Sequence, residues 1–205
     1  MNLRFISFLT MIFICLSNSL YASGGYDNGT SIGKGNLGID LTWNPFNYWD
    51  DGQSYTVISY GIAKKLDFHG YYSIPAKGPA NYYIGGFYQF FNNSYLDLAT
   101  AVGIRSYVSK SEKHIFFPQF LYTLQILYGL KVGGSFVNIR NINKIYRNIG
   151  TTADISLIIP IYKSKNINAN NKTIDFTIGA FRPALWKPKK QSWHPTYSID
   201  IKLFL

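Results

Sequence analysis

The chain has 205 residues, enough for one domain, and carries a formal net charge of +10 with 18% aromatic but only 15% charged residues. Soluble domains usually hold about 25% charged residues, while a mean hydropathy of −0.03 excludes a bundle of membrane-spanning helices. Low charge, many aromatics and neutral hydropathy fit strands with one apolar and one polar face, the pattern by which a membrane β-barrel escapes hydropathy plots.

The chain opens on Met1-Asn2-Leu3-Arg4, a short positive segment, followed by an apolar run from Phe5 to Leu16 and the small-residue site Leu20-Tyr21-Ala22. This order reads as a cleaved secretory signal over 1–22, leaving a barrel domain over 23–205. An uncleaved anchor is the alternative, but the run falls short of the ~20 residues a helical span needs. The single cysteine, Cys15, lies within the signal. The mature chain is therefore expected to lack disulfides, thiolate metal sites and a cysteine nucleophile.

Beyond residue 22 the pattern has period two. Leu37, Ile39, Leu41 and Trp43 alternate with Gly38, Asp40 and Thr42; Leu98, Val102 and Ile104 with Asp97, Gly103 and Arg105; and Phe120, Tyr122 and Leu124 with Gln119, Thr123 and Gln125. The pattern returns in Ile155, Leu157 and Ile159 against Asp154 and Ser156, and in Ile174, Phe176 and Ile178 against Asp175 and Thr177. Leu98, Leu124, Leu157 and Ile178 are expected to face lipid. A soluble β-sandwich also alternates, but its outer face should be rich in charge. Here the polar faces are mostly Gly, Ser, Thr, Asn and Gln, which suit a crowded barrel interior.

Counting segments predicts an all-β, antiparallel, up-and-down transmembrane barrel of about ten strands, with eight or twelve as the neighbouring even numbers. The strands fall near 35–44, 54–64, 67–75, 81–91, 94–108, 115–128, 131–140, 152–162, 173–182 and 196–205. With both termini in the periplasm, short inner turns (Ala63 to Leu66, Asn92 to Ser94, Gly129 to Lys131) alternate with longer outer loops (Asn44 to Gln53, Ile139 to Gly150, Leu185 to Pro195), as in outer-membrane barrels. The connection from Lys163 to Lys172 is the exception, long but facing the periplasm. The repeated Tyr60-Gly61-Ile62 and Tyr128-Gly129-Leu130 read as two such hairpins, with both tyrosines at the inner interface and the glycines permitting a tight approach of backbones as the sheet curves.

The chain ends in YSIDIKLFL, which sets Tyr197, Ile199, Ile201, Leu203 and Leu205 on one face. This segment resembles the C-terminal strand of small bacterial outer-membrane β-barrel proteins of the porin-like class. Phenylalanine is preferred at the end of that strand; here Phe204 comes one place early. The resemblance implies recognition by the barrel-assembly machinery, with that machinery and outer-membrane lipid as partners, and location in the outer membrane of a Gram-negative cell.

Chemistry is sparse. None of His69, His114 and His194 begins the His-x-Ser pair of outer-membrane lipid A acyl hydrolases. Ser192-Trp193-His194 has the reverse order, and the one glutamate, Glu112, lies in another predicted loop beside His114. A serine nucleophile needs its base within hydrogen-bond reach and a third group to orient that base. Asp50-Asp51 reads as a solvated turn rather than a calcium site, and neither ligand spacing for a metal nor a cofactor motif is present. A non-enzymatic barrel, structural or a narrow channel, is the leading reading. The alternatives are a lipid-modifying enzyme and a soluble exported β-sandwich that binds a ligand.

Without Arg4 the twenty basic residues become nineteen, against ten acidic ones. Export argues against nucleic acid as the partner. On the predicted topology Lys77, Lys110, Lys113, Arg140, Lys144, Arg147, Lys187, Lys189 and Lys190 fall on the outer side, where phosphorylated lipopolysaccharide would meet them. Asp40, Asp97, Arg105, Asp154, Asp175, Asp200 and Lys202 are expected to point into the lumen as a polar network, since buried charges need partners. Ten strands enclose little space, so a mostly filled lumen is expected.

Overall fold

The computed structural model describes residues 28–43, 53–75, 78–164, 172–182 and 193–204. The signal segment 1–22, the first outer loop with Asp50-Asp51, Lys77, Ser192 and Leu205 lie outside the described residues.

The period-two pattern folds into ten strands: β1 Asn36–Trp43, β2 Gln53–Ala63, β3 Leu66–Pro75, β4 Asn81–Asn92, β5 Leu96–Tyr107, β6 Lys110–Gln125, β7 Lys131–Asn141, β8 Lys144–Lys163, β9 Lys172–Arg182 and β10 His194–Phe204. Each strand pairs antiparallel with its neighbours in sequence, and β1 pairs with β10 to close the barrel. Closure leaves no free sheet edge and excludes the β-sandwich, which needs two separate sheets. The register across the seam is unbroken from Asn36↔Phe204 to Trp43↔Tyr197.

Which side chains are hidden shows how the barrel is turned. The largest fully buried side chains include Thr42, Thr123, Thr177, Thr196 and Asp97, while Ile58 is 53% exposed, Ile74 56% and Ile84 53%. A water-soluble core has the opposite arrangement. Tyr72 pairs with Tyr82 near one end of the outward surface, and Tyr60 pairs with Phe68 near the other. Leu98, Leu124, Leu157 and Ile178 take outward positions on their strands, opposite Tyr122, Val132 and Tyr197 among others.

Eight strands lie within two residues of their predicted bounds at each end; β6 and β8 begin earlier. The expected outer loop from Ile139 to Gly150 is instead a continuation of the β7–β8 ladder, closed by a turn at Ile142-Asn143. Its polar side chains still pair as a ribbon: Asn138 Nδ2 donates to Asn148 Oδ1 at 3.1 Å. The backbone hydrogen bonds carry the hairpin past the point where apolar alternation stops.

The two Tyr-Gly motifs are not equivalent. Tyr60-Gly61 lies within β2, and its hairpin turns at Lys64-Lys65. Tyr128-Gly129 forms the β6–β7 turn itself, with φ of 62° at Tyr128 and 81° at Gly129, and Tyr128 is 94% exposed. Glycine tolerates this left-handed backbone; tyrosine adopts it rarely.

Candidate functional site: the barrel lumen

Residues 28–35 do not trail away from β1. They lie across the end of the lumen closed by the short turns, as a strap. The Gly29 N–H donates to Thr123 Oγ1 at 2.9 Å on β6, and Thr30 Oγ1 donates to Asp97 Oδ2 at 2.6 Å on β5. Ser31 Oγ and the Ile32 N–H donate to the two oxygens of Asp67 on β3, each at 2.8 Å. The Gly35 N–H donates to the Gly61 carbonyl at 2.8 Å. A strap in irregular conformation must satisfy its backbone groups somewhere, and two lumenal carboxylates and a threonine serve it. Gly61 does admit a close approach of backbones, but of the strap rather than of a neighbouring strand: a Cβ at that position would overlap the Gly33 carbonyl.

The seven predicted lumen residues all take inward positions. Asp97 is 2% exposed and also accepts from Asn92 Nδ2. Asp154, 3% exposed, accepts from Ser135 Oγ. Asp200 accepts from Thr177 Oγ1 at 2.6 Å and Ser198 Oγ at 2.9 Å, and Asp40 accepts from Thr42 Oγ1 at 2.8 Å. Hydroxyls from neighbouring inward positions are thus prominent partners of these carboxylates. Asp175 and Lys202 line the space below the strap's flank together with Lys131.

Among the described residues the lumen holds two sizeable chambers. One, of about 600 Å³ at the short-turn end, is lined by the strap and by Asp67, Lys131, Asp175, Asp200 and Lys202. The other, of about 300 Å³ toward the opposite end, is lined by Tyr55, Tyr71, Tyr83, Arg105, His114 and Phe116 among others. Val57 and His69 line both. The expected filling is therefore partial: open space remains on both sides of Val57 and His69, and the strap crosses one mouth.

The far chamber owes its chemistry to a bulge. The β5–β6 and β6–β7 registers both shift across residues 116–119 of β6. Parity flips there, so even-numbered His114 and Phe116 face inward together with odd-numbered Gln119, Leu121 and Thr123. A proline within a strand, here Pro118, is found at such irregularities. Rings then form a continuous wall: Tyr55 meets Tyr71 edge-on at 5.2 Å, Tyr71 stacks on Tyr83 at 5.2 Å, and Tyr83 meets Phe116 at 5.3 Å. His69 stacks on Tyr83 at 5.2 Å, and Gln119 Nε2 donates to the Tyr83 hydroxyl at 2.9 Å. The Tyr83 ring covers Gly103 on β5, where a Cβ would overlap it.

Of the predicted basic outer positions, Lys110, Lys113 and Arg140 are exposed at the end away from the short turns. The side chains of Lys144 and Arg147, and Lys187, Lys189 and Lys190, lie outside the described residues, as does the side chain of His194. On β10, Tyr197, Ile199, Ile201 and Leu203 share the outward face as predicted.

No protein-family model matches the chain, and no curated protein matches it. Among solved structures the chain is similar to one described as a KdgM porin, at 9% sequence identity and a TM-score of 0.46, over 83% of this chain and 99% of that one.

Proposed function

We propose that the protein is a non-enzymatic outer-membrane barrel that acts as a narrow solute channel, with its short turns in the periplasm and basic side chains at the outer rim toward lipopolysaccharide. The observation that carries this reading is the inverted burial: hydroxyls and carboxylates are the most deeply buried side chains beside a smaller set of apolar ones, while many isoleucines, leucines, phenylalanines and tyrosines are exposed around a closed sheet. Water cannot stabilise such a surface at that scale, whereas a bilayer can. The two chambers supply room for small solutes, and their polar lining would set which of them pass. Cell fractionation should recover the chain in the outer membrane, with faster migration on gels before boiling than after. The purified protein should give small single-channel currents in planar bilayers. Recovery as a soluble protein would refute the membrane reading, and a folded barrel without conductance would refute the channel.

The strap narrows the periplasmic mouth in this reading. Gly61→Ala places a methyl group against the Gly33 backbone, which cannot yield as the end of a flexible side chain would. The expected result is a displaced strap and a single-channel conductance raised at least twofold, with the gel shift of the folded barrel kept. Unchanged conductance would mean that the strap does not limit flow.

A further inference from the structure

Arg105 brings a full positive charge into the far chamber, since a guanidinium stays protonated in proteins. Its Cζ lies 5.3 Å from the Tyr107 ring centroid and 5.0 Å from that of Phe116, so two aromatic faces position it. Its Nη2 lies 2.9 Å from Nδ1 of His114, and Nε2 of that ring lies 3.0 Å from Oε1 of Glu112. A guanidinium only donates, so Nδ1 accepts and the ring proton sits on Nε2, donated to Glu112. The histidine is then a neutral spacer. The glutamate, which also accepts from Asn141 Nδ2 at 3.1 Å, stands one imidazole away from the cation.

Among the described residues the Arg105 Nε–H, shielded from solvent, has no hydrogen-bond partner. Buried charge and buried donors are normally matched. An edge that offers Nε–H beside an Nη N–H is the fork that a carboxylate takes with both oxygens. Next to it stands the Tyr71–Tyr83 stack, supplied by β3 and β4, with Tyr55 edge-on to Tyr71. Across the lumen β7 and β8 supply Val137, Ile139 and Ile149, all buried. The volume of about 300 Å³ is at the small end of ligand pockets, room for one ring and one acidic group. Asp154, held by Ser135, lines the same chamber and disfavours a second negative charge on the ligand.

We propose that this chamber binds a small organic monoanion, a carboxylate on a single flat ring, with the carboxylate on Arg105 and the ring against the tyrosine wall. This names a solute class for the channel reading and rests on it.

The test uses the full mature chain, folded in detergent and checked by its gel shift, titrated calorimetrically with four probes. Benzoate should bind saturably. Benzamide, with the same ring and no charge, should bind at least tenfold more weakly. Cyclohexanecarboxylate, with the charge but no flat face, and phthalate, with two charges, should each lose severalfold. Arg105→Gln should lose benzoate binding at least tenfold while Lys64→Gln, in a turn at the opposite end, keeps it. If Arg105→Gln fails to fold, the four probes on the unaltered protein still decide. No saturable benzoate binding, or equal binding of benzoate and benzamide, would overturn the proposal. Binding in detergent needs no conduction, so a conducting barrel that ignores benzoate sinks only the site. A barrel that binds benzoate but passes no current sinks only the channel.

Discussion

Leu157→Arg is expected to abolish assembly of the barrel. Leu157 sits on the outward face of β8, opposite Val132 on β7 and Ile178 on β9, within an apolar belt that runs on to Ile155 and Ile159. An arginine on the lipid face at mid-bilayer costs about 2–4 kcal/mol, a large share of the roughly 5–15 kcal/mol by which domains are stable. Thr151→Arg supplies the control. Thr151 is exposed on the same strand beside Asn138, where the ribbon is polar and an added charge costs about 0–1 kcal/mol. Membrane fractions should contain folded Thr151→Arg protein and little or no Leu157→Arg protein. Normal insertion of both would show that the assigned lipid face is wrong.

The outward face was readable because it obeys one rule over long stretches. Leu98, Val102 and Ile104, or Ile199 and Ile201, recur every second residue, and a strand has only two faces. All seven charged residues assigned to the lumen follow from that parity. The rule fails where a strand takes up an extra residue. Across Phe117-Pro118 the parity of β6 changes, so His114, which looked like a loop residue, and Phe116, placed in the predicted strand, turn into the lumen and complete the Arg105 environment. Pro118 was the available signal, since proline inside a strand marks a bulge or an edge. The β7–β8 ribbon was missed for a different reason. Its strands leave the apolar belt, the outward face becomes polar, and the inward apolar residues Val137, Ile139 and Ile149 are too few and too far apart in sequence to reveal the pairing. The strap left the weakest trace. Asn28 to Asn36 is mostly glycine, serine, threonine and asparagine, broken only by Ile32 and Lys34, and resembles any connecting segment; its place depends on carboxylates from β3 and β5, more than thirty residues away. Tyr60-Gly61 and Tyr128-Gly129 show the converse, since identical dipeptides take unrelated roles when their surroundings differ.

Removing Leu203 to Leu205 is expected to leave the chain unassembled in the periplasm, where it is degraded. In the up-and-down barrel β10 is the one strand that ties the end of the sheet to its beginning, so its loss cannot be compensated by a neighbour. The truncation removes two of the eight β1–β10 pairs, Asn36↔Phe204 and Leu37↔Leu203, and the Leu203↔Lys172 pair to β9. Backbone groups at the start of β1 would then face hydrocarbon without partners, and each such group costs several kcal/mol in a bilayer. The same deletion cuts into the outward row Tyr197, Ile199, Ile201, Leu203 and Leu205, the feature through which the chain resembles substrates of the barrel-assembly machinery. Leu205→Phe separates the two causes. It keeps every ladder pair and restores a terminal aromatic, so assembly should be equal to or better than that of the unaltered chain. Fractionation with an antibody against the chain reads all three proteins. A truncated chain recovered at full level in the outer membrane, with its gel shift intact, would show that neither closure at these residues nor the terminal row is needed. A Leu205→Phe chain that fails to assemble would remove the terminal row from the account and leave closure alone.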